Sequence, residues 1–507
     1  MIVSFSEWQY YDTEIDVCIV GAGVAGLSLA YKYLETDAKV LIIETGGRNI
    51  SEASQKMNRS ISVGSQRYNG CTVGQFRVMG GNSTKWGGQM LSISKSEIID
   101  RDFCKVSGWP IKHEEIYQAS KDVYNFLKIK LQDQHARKLL AIKTISGIKK
   151  CKYRLSAWPT FKNRNIFNLV KERVESSKNI TILHDATVEK IEFGAQNNST
   201  FVEGVHIKGG ATLRRVSAKK YIIATGALEA SRVLFKSSNS DIDFNGQIGK
   251  HFMDHLSSPM GSINTKEIKK SKKIFSPSFY GPTFYYPRIE IPEYLQKEFN
   301  IPSAFMHCQI VSLGPSALDI FKDKLRKFQE IGKFWLSYKE VVTLFKDVPY
   351  IIKLAYARFF FGPLPYNKNS EVHLYIDVEQ LPNNGSSLYL QDDVLNIDWN
   401  IDDSMIKARK VFRDFIIKEI FPNVSINWFD QNKVDSLAHD AFHPCGGTIM
   451  GKDSKRSVVD ENLKVHSIDN LYIASTSVFP VSGTANPSFT LMCLCFRLFN
   501  HLETGED

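Results

Sequence analysis

Short apolar runs, each followed by a glycine or an acidic residue, predict buried strands near the start of the chain. Ile15–Val20 is rich in β-branched residues, and Lys39–Ile43 repeats the pattern after a helix-like stretch, Leu27–Leu34. Neither run alternates hydrophobic and polar positions, which is typical of parallel strands that are covered on both faces. A third such run, Tyr221–Ile223, is expected to return to the same sheet. The pattern predicts an α/β fold that opens with a strand–helix–strand unit.

Alternating positions farther along the chain predict more strands. Four short ones are expected to form one sheet: Thr181–Asp185, Thr187–Phe193, Val202–Lys208 and Val216–Ile223. Three others are predicted to be antiparallel: Glu371–Asp377, Ser387–Leu390 and Val394–Trp399. We therefore expect an α/β domain combined with a second domain built on an antiparallel sheet with helices, α+β overall.

A glycine-rich turn joins the first predicted strand to the first predicted helix. Gly21, Gly23 and Gly26 have the spacing G-x-G-x-x-G, and Glu44 ends the second strand. Such glycines allow a tight turn, backbone approach to a pyrophosphate and close helix–strand packing, and the helix N-terminus offers free N–H groups. An acidic residue at the position of Glu44 accepts hydrogen bonds from a ribose. The unit predicts a Rossmann-type dinucleotide site, which suits either NAD or FAD.

Three features favour FAD over NAD. The strand at Tyr221–Ile223 ends on Ala224–Gly226, and a second glycine-dense loop spans Gly80–Gly88. That loop lets backbone approach a large planar group, although a plain cluster of turns has the same composition. The sequence shows no second strand–G-x-G-x-x-G–helix unit, so a nicotinamide site to feed a flavin is missing. Electrons are therefore expected to come from the substrate itself.

Composition and charge narrow the class of protein. A length of 507 residues favours two domains, and 43% apolar with 23% charged residues is typical of a globular protein. The net charge of +10 is spread along the chain without a reader motif, which argues against a nucleic-acid partner. No run reaches the roughly 18 apolar residues of a spanning helix, and Met1–Glu14 lacks the apolar core of a signal peptide. Eight cysteines without a C-x-x-C pair predict no metal site and a reducing cytoplasm.

The C-terminal part carries several motifs in a fixed order. His443–Gly451 reads HPCGGTIMG, Ser457–Asp460 and Leu471–Ala474 follow, and Ser482–Pro487 opens a final apolar run. Together with the N-terminal fingerprint and the Gly80–Gly88 loop, this order resembles the glucose–methanol–choline (GMC) flavoprotein oxidoreductases. The resemblance is strong at both ends of the chain and in the middle FAD segment, and weak through about 100–180 and 262–380. It implies an FAD-dependent enzyme that oxidises a CH–OH group.

The resemblance also implies two catalytic residues. By motif these are His443, as the base, and Asn486, as the residue that holds the substrate hydroxyl. The assignment suits the chemistry, because an imidazole removes a proton near neutral pH and an uncharged amide orients the substrate oxygen without competing for the proton. Pro487 suits the first turn of a helix, whose positive end would face the flavin. His439, four residues before His443, is the alternative base, and plain structural roles remain alternatives for both residues.

The cofactor-binding residues are predicted from the two glycine-rich loops, the later strands and the C-terminal block. They are Gly21, Gly23, Val24, Ala25, Gly26, Glu44, Arg77, Gly80, Gly81, Asn82, Ser83, Trp86, Gly87, Gly88, Val188, Ala224, Thr225, Gly226, Ser475 and Pro487. Val188 is expected to lie toward the adenine. Ser475 stands where the family often has Asp or Gly. Lys85 stands where the pyranose-oxidase branch has a histidine linked to FAD, so the FAD is predicted to be non-covalent.

The substrate is predicted to be a sugar-like or other polyhydroxylated alcohol, free or carried on a lipid or another carrier. Gly446-Gly447, Gly483–Pro487 and Glu379–Asn383 resemble the branch of sugar dehydrogenases and pyranose oxidases. Oxygen, a quinone and a redox protein stay open as electron acceptors. The alternatives are a GMC-fold lyase or other non-redox enzyme that retains FAD structurally, and a flavin-binding partner protein at a membrane surface.

Two domains are expected to interweave along the chain. The FAD-binding domain is predicted at 1–95, 175–262 and 440–507, and the substrate-binding domain at 96–174 and 263–439. Within the second domain, Ala317–Phe361 combines helical periodicity with many aromatic and basic residues, and Pro349 divides it. Such a segment is typical of helices that lie in a membrane interface, which would make the protein peripheral to a membrane. A helical lid or a helix pair packed on the substrate domain is the favoured interpretation, because Pro349 divides the segment and acidic residues are mixed with the basic ones.

Overall fold

The structure, a computed structural model, describes residues 1–9, 14–130, 150–197, 199–239, 242–264, 275–280, 283–331, 334–360, 362–367, 370–422 and 424–505. The α-helices of this part of the chain are Val24–Tyr33, Glu52–Lys56, Lys95–Ile98, His113–Phe126, Ile166–Ser176, Ala227–Ser237, Glu293–Phe299, Ala317–Ile331, Tyr338–Lys346, Val348–Phe359, Asp403–Phe415, Gln431–Leu437 and Pro487–Thr504. Short 3₁₀ turns lie at Gly81–Thr84, Asp102–Cys104, Phe161–Asn163, Phe244–Gly246 and Thr476–Val478, and a π turn lies at Ile416–Ile420.

A parallel sheet forms the first layer. Within the described residues its strands run in the spatial order Ile2–Ser4, Ile180–His184, Val40–Ile43, Val17–Val20, Lys220–Ile223 and Leu471–Ile473. The two central strands are buried at every position, as their continuous apolar sequences predict. Because every strand points the same way, residues within two positions of the ends of five of them meet at one edge: Gly21, Glu44, Ala186, Ala224 and Ala474. Open α/β sheets bind their ligands at this edge.

The first and the last described helices pack against each other beside this sheet. Val24–Tyr33 contacts Pro487–Thr504, which also contacts His113–Phe126. Tyr33 and Phe499 meet edge to face, with ring centroids 4.9 Å apart. The C-terminal helix is thereby held against the N-terminal dinucleotide fingerprint.

An antiparallel sheet forms the second layer. Among the described residues its main strands follow the order Ser278–Tyr280, Thr283–Glu290, Ala304–Ser312, Ser370–Val378, Leu256–Asn264 and Ile426–Trp428, with Lys152–Trp158 paired to Thr283–Glu290 and His439–Asp440 paired to Leu256–Asn264. One face is aliphatic and buries Ile289, Met306 and Ile376 against the helix Asp403–Phe415. The opposite face is aromatic and polar, because strand residues alternate between the two faces.

Two smaller sheets complete the described fold. Thr187–Gln196, Ser199–Gly209 and Thr212–Val216 form an antiparallel sheet. Ser387–Gln391 and Val394–Asp398 form a hairpin whose second strand pairs in parallel with Ser60–Ser62. The mixed α/β fold class predicted from the sequence is confirmed.

The predicted grouping of four strands in one sheet is wrong. Thr181–Asp185 corresponds to Ile180–His184, which belongs to the parallel sheet. Val216–Ile223 divides into the end of Thr212–Val216 and the separate parallel strand Lys220–Ile223. Asp185 adopts a positive φ of 57°, which turns the chain out of the parallel sheet before the next strand begins. Lys220–Ile223 is apolar at successive positions, which suits a strand covered on both faces rather than an alternating one.

Three helices occupy most of the segment singled out for its aromatic and basic residues. They are Ala317–Ile331, Tyr338–Lys346 and Val348–Phe359. Pro349 lies in the first turn of the third helix, where its missing N–H costs nothing. Lys333 and Phe361 lie outside the described residues. The division into two domains stays a prediction, and the strand Leu256–Asn264 crosses its expected boundary at 262.

Candidate active site

A cleft opens at the carboxyl edge of the parallel sheet. Its empty volume is about 1090 Å³, and it lies between the fingerprint turn and the C-terminal block. Fourteen of the predicted site residues line it: Gly21, Gly23, Val24, Ala25, Glu44, Arg77, Gly81, Asn82, Val188, Ala224, Thr225, Gly226, His443 and Pro487. A cleft at this edge of an open parallel sheet is where such folds bind their ligands.

The fingerprint glycines have distinct geometric reasons. A Cβ on Gly26 would lie 2.0 Å from the carbonyl oxygen of Gly21, so helix Val24–Tyr33 approaches the strand only if this residue lacks a side chain. Gly21 has a φ of +105°, and a Cβ there would lie 2.7 Å from the carbonyl oxygen of Ala224. A Cβ on Gly23 would meet no atom of the described residues within 4 Å. Gly26 therefore serves helix packing, whereas Gly23 leaves open space beside the cleft.

Glu44 presents a fixed carboxylate to the cleft. The N–H groups of Ala22 and Gly46 each donate to one of its oxygens at 2.8 Å. Burial raises the pKa of this carboxyl, while the two backbone hydrogen bonds favour its charged form. Each oxygen keeps a second lone pair, which is the arrangement that a ribose diol requires.

The cleft fits a bound FAD in two further respects. The Oγ1 atom of Thr225, which lines it, is buried without a hydrogen-bond partner among the residues that the structure describes. Helices Val24–Tyr33 and Pro487–Thr504 both begin at the cleft, and neither has a side-chain cap on its N-terminal N–H groups. Free N–H groups and positive helix ends suit the phosphates and the electron-rich edge of a flavin.

Several predicted cofactor residues do not line the cleft but shape the loop Gly80–Gly88. Gly80 has a φ of +97°, and its N–H donates to the carbonyl of Ala22 at 2.8 Å, which ties the loop to the fingerprint turn. Ser83 donates to the Gly80 carbonyl at 2.6 Å and accepts from the N–H of Ile166 at 3.0 Å. These residues hold the cleft wall rather than form its surface.

The end of the same loop contacts the segment Trp158–Arg164. The indole N–H of Trp86 donates to the carbonyl of Arg164 at 2.8 Å. A Cβ on Gly87 would lie 3.1 Å from the Trp158 ring, and one on Gly88 would lie 3.2 Å from the Arg164 side chain. Their role toward FAD stays a prediction.

Ser475 is also absent from the cleft lining, although its neighbours Ala474 and Thr476 belong to it. The Ser475 hydroxyl instead accepts from the N–H of Ser477 at 3.1 Å and caps the 3₁₀ turn Thr476–Val478. Its side chain therefore stabilises the turn after the strand Leu471–Ile473.

His443 lines the cleft, and Asn486 contacts it. The Nδ2 atom of Asn486 lies 3.0 Å from Nε2 of His443. The backbone N–H of His443 donates to the carboxyl of Asp254, at 2.9 Å to the nearer oxygen, and the Tyr68 hydroxyl donates to that same oxygen at 2.9 Å. The structure thus brings together the two residues that the motifs selected.

A second histidine lies behind His443. Nδ1 of His443 is 3.2 Å from Nδ1 of His255, and Nε2 of His255 donates to the carbonyl of Gly483 at 2.7 Å. His255 is buried, with 1% of its surface exposed. The two imidazoles therefore form a short hydrogen-bonded chain that ends on the backbone of the C-terminal block.

Arg288 completes the surroundings of Asn486. Its guanidinium donates to the Asn486 side-chain oxygen at 2.8 Å and to the carbonyl of Thr484 at 2.6 Å. It lies over the Phe305 ring, 3.8 Å from the centroid. Burial lowers the pKa of Arg288 to about 10, which leaves it charged at neutral pH.

Buried charged residues hold the turn Gly483–Asn486. Glu379 forms a bidentate ion pair with Arg101, at 2.7 and 2.8 Å, and accepts from the N–H of Gly483 at 3.0 Å. Glu97 accepts from the N–H of Thr484 at 2.8 Å. Although burial opposes its charge, Arg154 and hydrogen bonds from Thr484 lower the pKa of Glu97 to about 2. Each N–H and carbonyl of Gly483 and Thr484 thus has a partner, and the turn is fixed.

His443 is neutral in this environment. Burial and the neighbouring His255 lower its pKa to about 3, and burial also lowers the pKa of His255. A neutral imidazole keeps one ring nitrogen unprotonated and able to accept a proton.

His439 lies elsewhere in the hydrogen-bond network. It belongs to the short strand His439–Asp440, not to a helix shared with His443, and its Nδ1 lies 3.0 Å from the carbonyl of Leu437. This segment pairs with the strand Leu256–Asn264, so His439 and His443 do not share a helix face.

The sequence motifs did not select His255, Arg288 or Glu97, and they gave Glu379 no role in holding the turn Gly483–Asn486. Arg288 carries a usable signal, since it and Glu290 are charged residues in the strand Thr283–Glu290, whose other positions are mostly apolar or aromatic. Buried charges are rare unless they are paired or functional. No cluster of three or more potential metal ligands is found in the described ranges.

Comparisons with known proteins agree with this geometry. A family model described as GMC oxidoreductase matches residues 394–495, which include both His443 and Asn486. A model described as NAD(P)-binding Rossmann-like domain matches residues 19–72, which include the fingerprint. The fructose dehydrogenase large subunit of Gluconobacter japonicus is 40% identical over 67 residues, which cover 12% of each chain. Choline oxidase of Arthrobacter globiformis is 27% identical over 107 residues, 20% of each chain.

Solved structures extend the likeness to the whole fold. Pyridoxine 4-oxidase from Mesorbium loti is 15% identical with a TM-score of 0.57, and the match covers 97% of this chain and 100% of that one. A formate oxidase structure is 16% identical with a TM-score of 0.59, covering 98% of this chain and 99% of that one. The C-terminal part of the chain thus matches the glucose–methanol–choline (GMC) oxidoreductase family model, and the whole chain shares the fold of these solved structures.

The match to the GMC oxidoreductase model confirms the resemblance that the motifs carried. The predicted fold is confirmed, and the predicted FAD cofactor and oxidoreductase class agree with these matches. The curated relatives align over only 12% and 20% of their own lengths, so their substrates are not transferred. The sugar branch, the non-covalent attachment and the roles of single residues stay predictions.

A pair of glycine substitutions tests the two functions assigned to the fingerprint turn. Gly23→Val should leave the melting temperature of the flavin-free protein nearly unchanged but weaken FAD binding by roughly tenfold or more, because the new side chain enters the open space beside the cleft. Gly26→Ala should lower the melting temperature of the flavin-free protein, because its Cβ would overlap the Gly21 carbonyl. Thermal unfolding and FAD fluorescence titration measure both effects. Equal effects of the two substitutions on stability would contradict the assignment.

The neutral state of His443 predicts an acid-sensitive fold. Below pH 6.5 the unfolded chain binds a proton that folded His443 takes up only near pH 3, so stability should fall as the pH is lowered through this window. One such proton corresponds to a slope of about 1.4 kcal/mol per pH unit. His443→Gln should reduce the slope measured by urea unfolding between pH 7 and 4.5 at saturating FAD. An unchanged slope in His443→Gln would show that His443 titrates normally.

Proposed function

We propose that this GMC protein oxidises the CH–OH group of a sugar-like or other polyhydroxylated alcohol, with His443 as the base and Asn486 as the hydroxyl anchor. The observation that supports this most directly is the 3.0 Å contact between Nδ2 of Asn486 and Nε2 of His443, which lines the cofactor cleft. A hydrogen-bond donor and a neutral base side by side are what alcohol activation requires.

The two side chains divide the handling of the substrate hydroxyl. A bound hydroxyl takes the place of the Asn486 N–H at Nε2 of His443, donates its proton there and accepts a hydrogen bond from Nδ2 of Asn486. As the proton moves to His443, the amide stabilises the charge that grows on the oxygen. FAD, when bound, supplies the acceptor for the hydride that leaves the same carbon. Proton and hydride together convert the alcohol to a carbonyl compound.

The face of the antiparallel sheet next to Asn486 supports a polyhydroxylated substrate. His307 stacks on Tyr375 with ring centroids 5.4 Å apart, and its Nε2 lies 3.2 Å from the carboxylate of Asp377. Arg288 lies on the same face of the sheet, since strand residues alternate. Aromatic rings and fixed polar groups on one surface suit a ring that carries several hydroxyls. The local similarity to a fructose dehydrogenase large subunit points the same way.

The decisive test is anaerobic stopped-flow reduction of the flavin by free and carrier-linked sugars. We expect the wild-type flavin to bleach with at least one sugar, and His443→Ala to retain FAD but slow the reduction by on the order of 10²–10⁴, the usual contribution of a positioned base. His439→Ala is the matched control, because its ring turns to the Leu437 carbonyl, and it should reduce at the normal rate. Reoxidation with air or a quinone then identifies the electron acceptor.

Two outcomes would contradict the proposal. If the flavin stays oxidised with every alcohol, a lyase or another non-redox GMC-fold protein, or a flavin-binding partner protein without turnover, is the better description. If His443→Ala reduces as fast as the wild type, His443 is not the base.

We further propose that the helices Tyr338–Lys346 and Val348–Phe359 contact the surface of an anionic lipid bilayer. Large apolar side chains are unusually exposed there: Tyr338 at 83%, Phe345 at 74%, Ile352 at 63%, Tyr356 at 64% and Phe359 at 72%. Soluble surfaces rarely expose so much contiguous apolar area without a partner. No described helix is long and apolar enough to cross a bilayer.

The exposed positive charges on these helices favour an anionic lipid surface. Lys339, Lys346 and Lys353 are exposed. The acidic side chains are engaged internally: Glu340 pairs with Lys324 at 2.8 Å, and Asp347 accepts from the N–H of Ala317 at 2.8 Å. Aromatic and basic side chains on amphipathic helices are typical of interfacial binding. A cytoplasmic location stays a prediction.

Liposome flotation tests this contact. The protein should float with vesicles of phosphatidylcholine and phosphatidylglycerol but not with phosphatidylcholine alone, and salt should weaken the binding. Exchanging the three lysines for glutamine should weaken it about a hundredfold, at about 1 kcal/mol for each lysine. Tyr338→Ser with Phe345→Ser should abolish it, whereas the control Tyr117→Ser, at a similarly exposed position, should not. No flotation, or self-association instead, would favour a helical lid or a second copy of the chain.

A further inference from the structure

The hydrogen bonds around His443 and Asn486 form one continuous chain of donors and acceptors. It runs from Arg288 through the Asn486 amide, His443 and His255 to the carbonyl of Gly483, with successive distances of 2.8, 3.0, 3.2 and 2.7 Å. Both ends of this chain have a fixed polarity. A guanidinium only donates, and a backbone carbonyl only accepts.

From the Arg288 end, the polarity fixes the orientation of the amide. Because Arg288 donates to it, the atom facing Arg288 must be the Asn486 oxygen, and the NH₂ group must therefore face His443. An NH₂ group only donates, so Nε2 of His443 must carry a lone pair.

From the Gly483 end, the polarity leads to the same state. The Gly483 carbonyl requires a proton on Nε2 of His255, so Nδ1 of a neutral His255 is an acceptor. The Nδ1 atom of His443 must then carry a proton, which it donates to Nδ1 of His255. Two independent constraints agree on one tautomer of His443, with its proton on Nδ1 and its lone pair on Nε2.

We propose that Arg288 and His255 are positioning residues that hold His443 in the Nδ1–H tautomer and so aim its Nε2 lone pair at the substrate hydroxyl. The effect of this tautomer on catalysis rests on the proposed function, whereas the tautomer itself does not. Neither residue needs to touch the substrate, because each acts through a side chain that does.

The burial of both residues suits this role. Arg288 and His255 are each 1% exposed, so solvent does not compete for their hydrogen bonds. Each comes from a strand of the antiparallel sheet or its immediate start, and each reaches the turn Gly483–Asn486 directly. The sheet thus sets both the position and the polarity of the reacting groups.

The first test measures the tautomer without any substrate. Long-range ¹H–¹⁵N NMR of the FAD-loaded protein with labelled histidines, assigned with His443→Gln, should show His443 with a protonated Nδ1 and an unprotonated Nε2. A protonated Nε2 in the wild type would overturn the proposal, and this holds even if no variant folds.

The second test uses matched pairs of variants. His255→Gln keeps an amide oxygen that can accept from His443, and Arg288→Lys keeps a donor for Asn486, whereas His255→Leu and Arg288→Met remove these groups. The variants His255→Leu and Arg288→Met should slow anaerobic flavin reduction by on the order of 10- to 100-fold at unchanged FAD content, with little effect on the substrate concentration for half-saturation. In the NMR spectrum of these two variants, both tautomers of His443 should be present. The variants His255→Gln and Arg288→Lys should retain most of the rate and the single tautomer.

The outcomes separate this inference from the proposed function. If His255→Gln is as slow as His255→Leu while the tautomer is retained, His255 takes up a proton that glutamine cannot, and the positioning role is overturned. If the predicted tautomer is found but no alcohol reduces the flavin, the positioning stands and the proposed function fails.

Discussion

Charge-assisted hydrogen bonds to a single turn, Gly483–Asn486, determine where the proposed reacting atoms lie. Glu379, with its partner Arg101, and Glu97 accept from the backbone N–H groups of this turn, and Arg288 donates to a backbone carbonyl and to the Asn486 side chain. Hydrogen bonds to charged groups are stronger than neutral ones, and stronger still where water is excluded. A flexible turn would leave the amide free to rotate away from His443. The buried charges therefore specify one geometry rather than add stability, since the desolvation of a buried ion pair often cancels its attraction.

The same turn connects the two layers of the fold. On one side it leads into the helix Pro487–Thr504, which packs on the first helix of the dinucleotide unit. On the other side it contacts the antiparallel sheet through Arg288 and His255. The cofactor cleft and the proposed substrate surface are thus joined at the point where proton removal would occur. A small shift of either layer would change the distance between the base and the anchor, and proton transfer is sensitive to such distances.

How much of this was predictable depends on the range of the interactions. The fingerprint glycines and Glu44 were found because their geometry is local: a strand, a turn and a helix adjacent in sequence place them at one sheet edge. His443 and Asn486 were found through motifs that resemble a known family. His255 and Arg288 were not, because they lie 188 and 198 positions from their partners, and only the pairing of the antiparallel sheet brings them together. The strand Lys220–Ile223 was assigned both to the parallel sheet and to an alternating one, since the sequence of a four-residue run does not indicate which strands pair with it.

A crystal structure of the FAD-loaded protein would show whether the turn Gly483–Asn486 holds the amide against the imidazole. We expect Nδ2 of Asn486 to stay within hydrogen-bond distance of Nε2 of His443, near 3.0 Å, with Arg288 on the amide oxygen and Glu379 and Glu97 on the turn. A structure with FAD in place but with the imidazole and the amide separated, or with Arg288 turned away from the amide, would contradict this expectation.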